Sequence, residues 1–257
     1  MRSRKRINRD GEARRRTVDR YLSRCGIATR GEAAKLVAAG RVKVNGQKID
    51  DAGAWINIAR DEVTVDGKSV ELQTERRLIA YNKPRGVLVT TNDPEGRPTV
   101  VDELPEPFRG DRSLRPVGRL DKASGGLLLF TNDNDLSARI LDSASKLMKF
   151  YRVKMRPAAD SSAVHRLRIG VNIGDPKRTK PARVEVERES QKSSVLRIGI
   201  TEGRNRQIRR MAKAVGCEVE WLVRIAIGPV ELGSAEVGSA RELNRGEIDA
   251  LLAVLGQ

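Results

Sequence analysis

The most constraining feature of the sequence is an apolar run that directly follows a glycine-rich loop. Leu127 to Phe130 carry no polar side chain, and a strand of this composition is buried on both faces. The preceding loop is therefore anchored to the rigid interior of the fold. It carries Asp121, and rigid support is what an accurately placed functional carboxylate needs. An aspartate in such a loop also commonly forms a turn, so its position alone leaves both roles open.

The charge balance indicates a polyanionic partner. Fifty Lys and Arg face 34 Asp and Glu, giving a net charge of +16, and each phosphate neutralised by such a surface releases counterions. A membrane surface is the competing interpretation, but no apolar stretch is long enough to span a bilayer. The basic N-terminus lacks the apolar core of a signal peptide. We therefore expect a soluble cytoplasmic protein, acting as a monomer, that handles nucleic acid.

Metal-ligating residues are scarce. His165 is the only histidine, and Cys25 and Cys217 are the only cysteines. These three residues cannot form a zinc site or a disulfide framework, and one histidine removes most histidine-based acid–base schemes. No phosphate-binding Walker loop or Gly-x-Gly strand-to-helix turn is present. The sequence therefore predicts neither a metal nor a cofactor.

The N-terminal quarter contains strong local signals for a small helical and hairpin unit after a flexible basic arm at 1–16. Thr17 can cap a first helix, and Thr29 with Glu32 forms a capping-box pattern that opens a second. Residues 41–46 then alternate basic and apolar side chains and end in Asn-Gly, which predicts a strand entering a tight hairpin turn. A second signal of this kind follows at 62–67.

This segment, VDRYLSRCGIATRGEAAKLVAAGRVKVNG, resembles the S4-type RNA-binding domain, for which we assign 17–65. Where that family usually has Ser-Arg-Arg, this chain has Thr29-Arg30-Gly31. The alternative is that its basic residues only solvate a small domain, or that the helix pair binds DNA as a regulator would. The resemblance implies RNA contacts by Arg24, Arg30, Lys35, Arg41, Lys43 and Asn45.

Beyond a polar linker predicted at 66–76, residues 77–257 alternate strand-like and helix-like runs. This order predicts an α+β domain on a mixed, largely antiparallel sheet flanked by helices. The expected strands are 78–81, 87–90, 127–131, 151–155, 183–186 and 195–200, and the expected helices are 136–144, 162–169 and 205–215. In the last helix, Ile208, Met211, Ala212 and Val215 form one apolar face. Arg209 lies about 60° beyond its edge, where it can border a cleft.

Motifs in this second domain resemble, in order, those of the ribosomal pseudouridine synthases of the RsuA/RluB type. Gly-Arg-Leu-Asp at 118–121, continued by x-x-Ser-x-Gly-Leu-Leu-Leu, is similar to the active-site motif of that family. The segment YNKPRGVLVTTNDPEGRPTVVDELP precedes it, Lys-Phe-Tyr-Arg-Val at 149–153 follows it, and EGRNRQIRRM and LVRIAIG come last. The similarity extends over about 78–243, behind an S4-type domain as in the family.

The resemblance implies isomerisation of a specific uridine to pseudouridine in ribosomal RNA without a cofactor. Large-subunit 23S rRNA is preferred to small-subunit 16S rRNA, because the string NRQIRRM is closer to that branch. Asp121 would be the catalytic carboxylate, Arg209 its ion-pair partner, and Tyr151 the ring stacked on the uracil. Pocket residues would be Arg119, Leu120, Leu222 and Ile227, with RNA contacts from Lys149, Arg206 and Arg210.

Purely structural or solvent-exposed roles remain as alternatives for several of these residues. Tyr151, Leu222 and Ile227 could be ordinary core, and Lys149 could be a solvated charge. Arg210 is expected to point toward solvent. The alternative function is a non-catalytic ribosome-assembly or RNA-binding protein, in which Asp121 and Arg209 would be incidental.

Overall fold

The computed structural model describes residues 15–72, 75–91 and 93–256, which fall into two compact units. Of these described residues, the first unit takes in those up to Arg76 and the segment Asp111–Arg115, and the second takes in those from Arg77 to Gly110 and from Pro116 onward. Most of the predicted basic arm lies outside the described residues. Arg15 and Arg16 are described, and they belong to a strand rather than to an arm. None of the helices in these ranges is long and apolar enough to cross a membrane.

The first unit is built from two short helices and two small antiparallel sheets. One sheet pairs β1 with β4, and the other has the order β3-β2-β5-β6. The elements are β1 (Arg15–Thr17), α1 (Val18–Arg24), α2 (Arg30–Ala38), β2 (Val42–Val44), β3 (Gln47–Lys48), β4 (Trp55–Asn57), β5 (Val63–Val65) and β6 (Lys68–Ser69).

Local signals of the sequence explain most of this unit. The capping box at α2 is confirmed, since the Thr29 hydroxyl accepts from Glu32 N and the Glu32 carboxylate accepts from Thr29 N. Asn45 and Gly46 both have positive φ, as the predicted tight hairpin turn requires. The segment expected to be a linker begins differently: β6 pairs with β5, and Val70 packs in the core of the unit.

The second unit contains one large mixed sheet flanked by helices, which confirms the predicted α+β class. Its elements are β7 (Leu78–Lys83), β8 (Arg115–Pro116, at the boundary of the units), β9 (Gly125–Thr131), α3 (Asn134–Leu141), β10 (Lys149–Arg156), α4 (Ser161–Ile169), β11 (Arg183–Glu189), β12 (Ser194–Ile200), α5 (Gln207–Ala214), β13 (Glu218–Ile227), β14 (Val230–Glu231), β15 (Ala240–Glu242) and α6 (Arg245–Val254).

The strand order places the apolar run inside the sheet. The order is β11-β12-β10-β13-β9-β7-β15, and of these contacts only β13 with β9 is parallel. Every residue of β9 is buried. Leu127 and Leu129 join one apolar cluster, while Phe130 packs edge-on against Tyr81 with ring centroids 6.0 Å apart. Burial on both faces is therefore confirmed.

Several parts of the second unit differ from the sequence-based expectations, including the short strands β8, β14 and β15, which were not expected. The strand expected at 87–90 is absent, because there Leu88 makes only an isolated bridge to Thr99. Strand β13 and helix α6 were not among the expected elements. Strand β13 matters most for the site, because Val223 and Arg224 pair with Gly125 and Gly126 at the start of β9. This pairing brings β13 beside the loop that carries Asp121.

Candidate active site

The loop before β9 opens onto a pocket of about 570 Å³ within the second unit. Its walls come from this loop, the pocket-facing side of β10 and β13, the 201–206 turn and α5. All seven expected catalytic and pocket residues line it, together with two of the three RNA contacts expected in this domain, and Arg210 does not. The nine are Arg119, Leu120, Asp121, Lys149, Tyr151, Arg206, Arg209, Leu222 and Ile227.

The Asp121 carboxylate is held on a tied loop but remains accessible. Its own carbonyl accepts a hydrogen bond from Ser124 N at 2.9 Å, which closes a turn, and the Lys122 carbonyl accepts from Gly86 N at 2.7 Å. The side chain of Asp121 is 31% exposed. The backbone of Asp121 therefore forms the turn that its sequence position suggested, and its carboxylate is accessible at the pocket wall.

Arg209 connects helix α5 to this loop. Its Nε lies 3.9 Å from Oδ2 of Asp121. Its Nη2 donates to the Ala123 carbonyl at 3.3 Å and to the Ser124 hydroxyl at 3.4 Å, and its Nη1 donates to the Val219 carbonyl at 3.3 Å. Burial lowers the pKa of Arg209, an effect that Asp121 opposes. The guanidinium therefore fixes the backbone around the carboxylate while supplying a positive charge beside it.

Lys83 is buried and supports the same loop. The sequence analysis gave this lysine no role. Its side chain is 1% exposed, and its Nζ donates to the Ser124 carbonyl at 2.9 Å and to the Pro84 carbonyl at 2.8 Å. Burial lowers its pKa to about 8, although the charge of Asp121 acts in the opposite direction. A lysine inside the YNKPRG segment gave no signal of burial, because lysines are rarely buried.

This lowered pKa predicts a pH-dependent stability difference between wild type and Lys83→Met. Between about 8 and the ordinary value of 10.5, the folded state has lost the Lys83 proton while the unfolded state still binds it. The free energy of unfolding of wild type should therefore rise relative to the variant as the pH increases through this window. Denaturant unfolding of both proteins across the window measures this. Lys213→Met, which removes an exposed lysine, should show no such trend, and a flat difference for Lys83→Met would contradict the assignment.

One face of the sheet forms the pocket floor. In β10, Lys149 and Tyr151 point to this face, and they lie opposite Ile227 and Arg224 of β13. Tyr151, Leu222 and Ile227 are all buried, so they serve the core and the pocket at once. Arg224 is a second residue, after Lys83, to which the sequence analysis gave no role. Arg224 lies two residues after Leu222 in the same strand, so both side chains face the same side of the sheet. This spacing was the sequence signal that could have placed Arg224 in the pocket.

The arginines at the start of α5 differ in their surroundings: Arg206 lines the pocket, whereas Arg210 is half-buried outside it. Arg206 is exposed and adopts positive φ at the helix N-terminus. Arg210 corrects the expectation of a solvent-directed side chain, because its Nε donates to the Ile173 carbonyl at 3.0 Å and its Nη groups pair with Asp175. The predicted apolar face is confirmed for Ile208, Met211 and Ala212, which are buried.

The basic residues of the first unit are less uniformly available than their sequence suggests. Arg30 donates to Asp19 at 2.6 Å, and Arg41 donates through Nε to Asp66 at 2.8 Å. Asn45 is tied to Asp61 and to the backbone of Glu62, which explains its place at the turn. Of the six expected RNA contacts, Arg24 is half-buried and the other five are exposed, although Arg30, Arg41 and Asn45 have these protein partners.

Comparisons with known proteins match one family to the N-terminal part of the chain and another to the part that contains the pocket. The family model described as RNA pseudouridylate synthase matches 77–214, and the S4 domain model matches 16–54. An RNA pseudouridine synthase of Aquifex aeolicus, itself uncharacterised, is 38% identical, with 93% of this chain and 94% of the relative covered. The ribosomal large subunit pseudouridine synthase B of Salmonella typhi is 37% identical, over 84% of this chain and 74% of the relative.

A solved structure extends the comparison to the fold. The crystal structure of a pseudouridylate synthase superposes with a TM-score of 0.65 at 29% identity, and the match covers 91% of this chain and 99% of that one. The family model covers more than half of the chain, and it spans the loop of Asp121 and the whole of helix α5. The chain therefore belongs to the RNA pseudouridine synthases, isomerases that act on uridine in RNA, and carries an S4 domain ahead of the catalytic fold.

Proposed function

We propose that the pocket at Asp121 isomerises one specific uridine of ribosomal RNA, in the 23S rRNA of the large subunit. The observation that carries this proposal is a partly exposed carboxylate held beside a half-buried guanidinium, 3.9 Å away, in a pocket that also contains Tyr151. The large-subunit relative in Salmonella typhi, 37% identical, supports the choice of ribosomal RNA and of the large subunit.

The reaction breaks the bond from C1′ of the ribose to N1 of uracil and forms a bond from C1′ to C5. The base turns in between, C5 loses a proton and N1 gains one, so atoms and charges balance. Asp121 can act by attacking the sugar or the base, or by assisting loss of a sugar proton. Either route needs an ionised carboxylate, and Arg209 places a positive charge beside it.

The target uridine must leave its base stack to reach Asp121. Flipping a nucleotide costs a few kcal/mol, which RNA contacts elsewhere can offset. We propose that Tyr151 stacks on the flipped uracil and that Leu222 and Ile227 close the apolar wall, with Arg119 and Leu120 on the loop side. We propose further that Lys149 and Arg206 contact the RNA strand.

We assign site selection to the S4 domain, at about 17–65, and chemistry to the catalytic domain, which follows from about residue 77. We propose that the RNA contacts there come from Arg24, Arg30, Lys35, Arg41, Lys43 and Asn45. Arg30, Arg41 and Asn45 have protein partners but are themselves exposed, and a surface ion pair is weak enough to exchange for a phosphate. We propose that the chain acts as a monomer in the cytoplasm.

The test is pseudouridine mapping of ribosomal RNA from cells that lack the protein and from the same cells rescued with it. We expect one 23S site to disappear in the deletion and to return on rescue. Loss of a 16S site instead would move the substrate to the small subunit. Survival of every site in the deletion would overturn the proposal and favour a ribosome-assembly role.

A further inference from the structure

The pocket holds more positive charge than its own carboxylates can balance. Within its lining, Asp121 and Glu202 are the only acidic side chains. Asp121 lies beside Arg209, and Glu202 accepts from Arg204 at 3.1 Å and from Gln207 at 2.7 Å. The pocket floor contains two further cations, Lys149 and Arg224, and neither forms an ion pair with a described residue.

Arg224 is the more unusual of the two, because it is 4% exposed. Its Nε donates to the Leu127 carbonyl at 2.7 Å, which fixes the guanidinium against β9. Its Nη2 is buried and has no hydrogen-bond partner among the described residues. A buried donor without a partner is costly, and a guanidinium keeps its charge even when desolvated. An unsatisfied group of this kind at a pocket wall points to a ligand acceptor.

Lys149 lies close enough to Arg224 for their charges to repel. Burial lowers the pKa of Lys149, and Arg224 lowers it further. In the structure its Nζ has only a long hydrogen bond, 3.4 Å, to the Leu147 carbonyl. Arg209 and Lys83 interact with Asp121, whereas Lys149 and Arg224 interact with each other. These four cations thus form two pairs, of which only one interacts with the carboxylate.

We propose that Lys149 and Arg224 form a subsite for one backbone phosphate of the bound RNA strand. A phosphate offers several anionic oxygens, so it can accept from an ammonium and a guanidinium together and offset their repulsion. A neutral uracil carbonyl could accept a hydrogen bond but would leave the charge unbalanced. Arg224 lies directly opposite Tyr151 in the strand register, so the phosphate belongs to the flipped nucleotide or to its immediate neighbour.

This subsite rests on the proposed function, because it assumes that the strand enters beside Tyr151. Its role is to orient the flipped nucleotide on the pocket floor, at a distance from the reacting atoms. The ion pair of Asp121 and Arg209 stays separate from it.

Ethylation interference tests the subsite directly. Fragments of 23S rRNA, transcribed in vitro and ethylated sparsely on phosphates, are partitioned between bound and free RNA by wild type, Lys149→Gln and Arg224→Gln. For wild type, ethylation of one phosphate near the target uridine should weaken binding. Each variant should raise the Kd about tenfold by loss of a charge-assisted contact and should become clearly less sensitive to that same ethylation. The double variant should be little worse than either single one, because both cations share one phosphate.

Lys154→Gln is the matched control, since it removes one lysine from the same strand on the opposite face, where Lys154 pairs with Glu220 at 3.1 Å. It should keep the wild-type interference pattern. Arg224→Gln removes the hydrogen bond to the Leu127 carbonyl, so this variant is the one at risk of misfolding. Lys149 is only half-buried, so Lys149→Gln should fold and decides the test by itself. An interference pattern identical in wild type and Lys149→Gln overturns the subsite. Pseudouridine in the same fragments is scored separately, so failure of the proposed substrate is distinguishable from failure of the subsite.

Discussion

Asp121→Asn is expected to reduce pseudouridine formation by more than about 10⁴-fold, the scale on which loss of a reacting carboxylate or nucleophile acts. Asparagine keeps the size of the side chain and the turn closed by Ser124, but it removes the negative charge and the acid–base capacity of the group. Binding of RNA should change little, because the Asp121 charge repels phosphates rather than attracting them. Single-turnover assays with saturating enzyme measure the chemical step, and equilibrium binding measures affinity.

Two further variants make the Asp121 result specific. Asp121→Glu retains the charge but moves it by one methylene, so it should also lose most activity if the position of the carboxylate matters. Asp249→Asn removes a carboxylate from the exposed surface of α6, where Asp249 pairs with Arg245 at 3.5 Å, and it should behave as wild type. An Asp121→Asn protein that retains turnover within about tenfold of wild type would remove Asp121 from the chemistry.

The parts of the fold that could be predicted are those encoded by short-range physics. The capping box at Thr29 and Glu32 and the Asn45-Gly46 turn need only a few neighbouring residues, so the sequence states them directly. The composition of β9 implied burial on both faces without knowledge of its neighbours. The segment at 87–90 had a strand-like composition, but it pairs with the loop residues 98–100 rather than with a strand. A local sequence pattern does not show which segment will lie beside it in the fold.

The site was predictable where side chains followed the family motifs and unpredictable where charges are buried. Asp121 and Arg209 lie in recognised motifs, and the α5 periodicity placed Arg209 at the edge of a cleft. Lys83 and Arg224 lie in such motifs too, yet their burial depends on the parallel pairing of β13 with β9 and on carbonyls of distant segments. Charged residues are ordinarily expected at the surface, so only the assembled sheet shows that these two are internal.

Arg209→Gln is expected to lower kcat/KM by about 10²-fold to 10³-fold, comparable to removal of a preorganised electrostatic group from an active site. The variant loses the positive charge 3.9 Å from Asp121 and also the hydrogen bonds to Ala123, Ser124 and Val219 that fix the loop. Arg209→Lys should have a kcat/KM between those of wild type and Arg209→Gln, because an ammonium keeps the charge but cannot reproduce the planar fork of donors. Lys213→Gln, one helical turn further along α5 and exposed, is the matched control.

The salt dependence of RNA binding separates the two roles that Arg209 could have. If Arg209 acts through Asp121, Arg209→Gln should lower turnover while the slope of log Kd against log salt stays that of wild type. If it contacts a phosphate instead, the slope should decrease by about 0.7, the contribution of one neutralised phosphate on a single strand. The partners of Arg209 favour the first result, because each is a group of the protein surrounding the carboxylate. A decreased slope with near-normal single-turnover rates would reassign Arg209 to RNA binding and leave Asp121 without its proposed ion-pair partner.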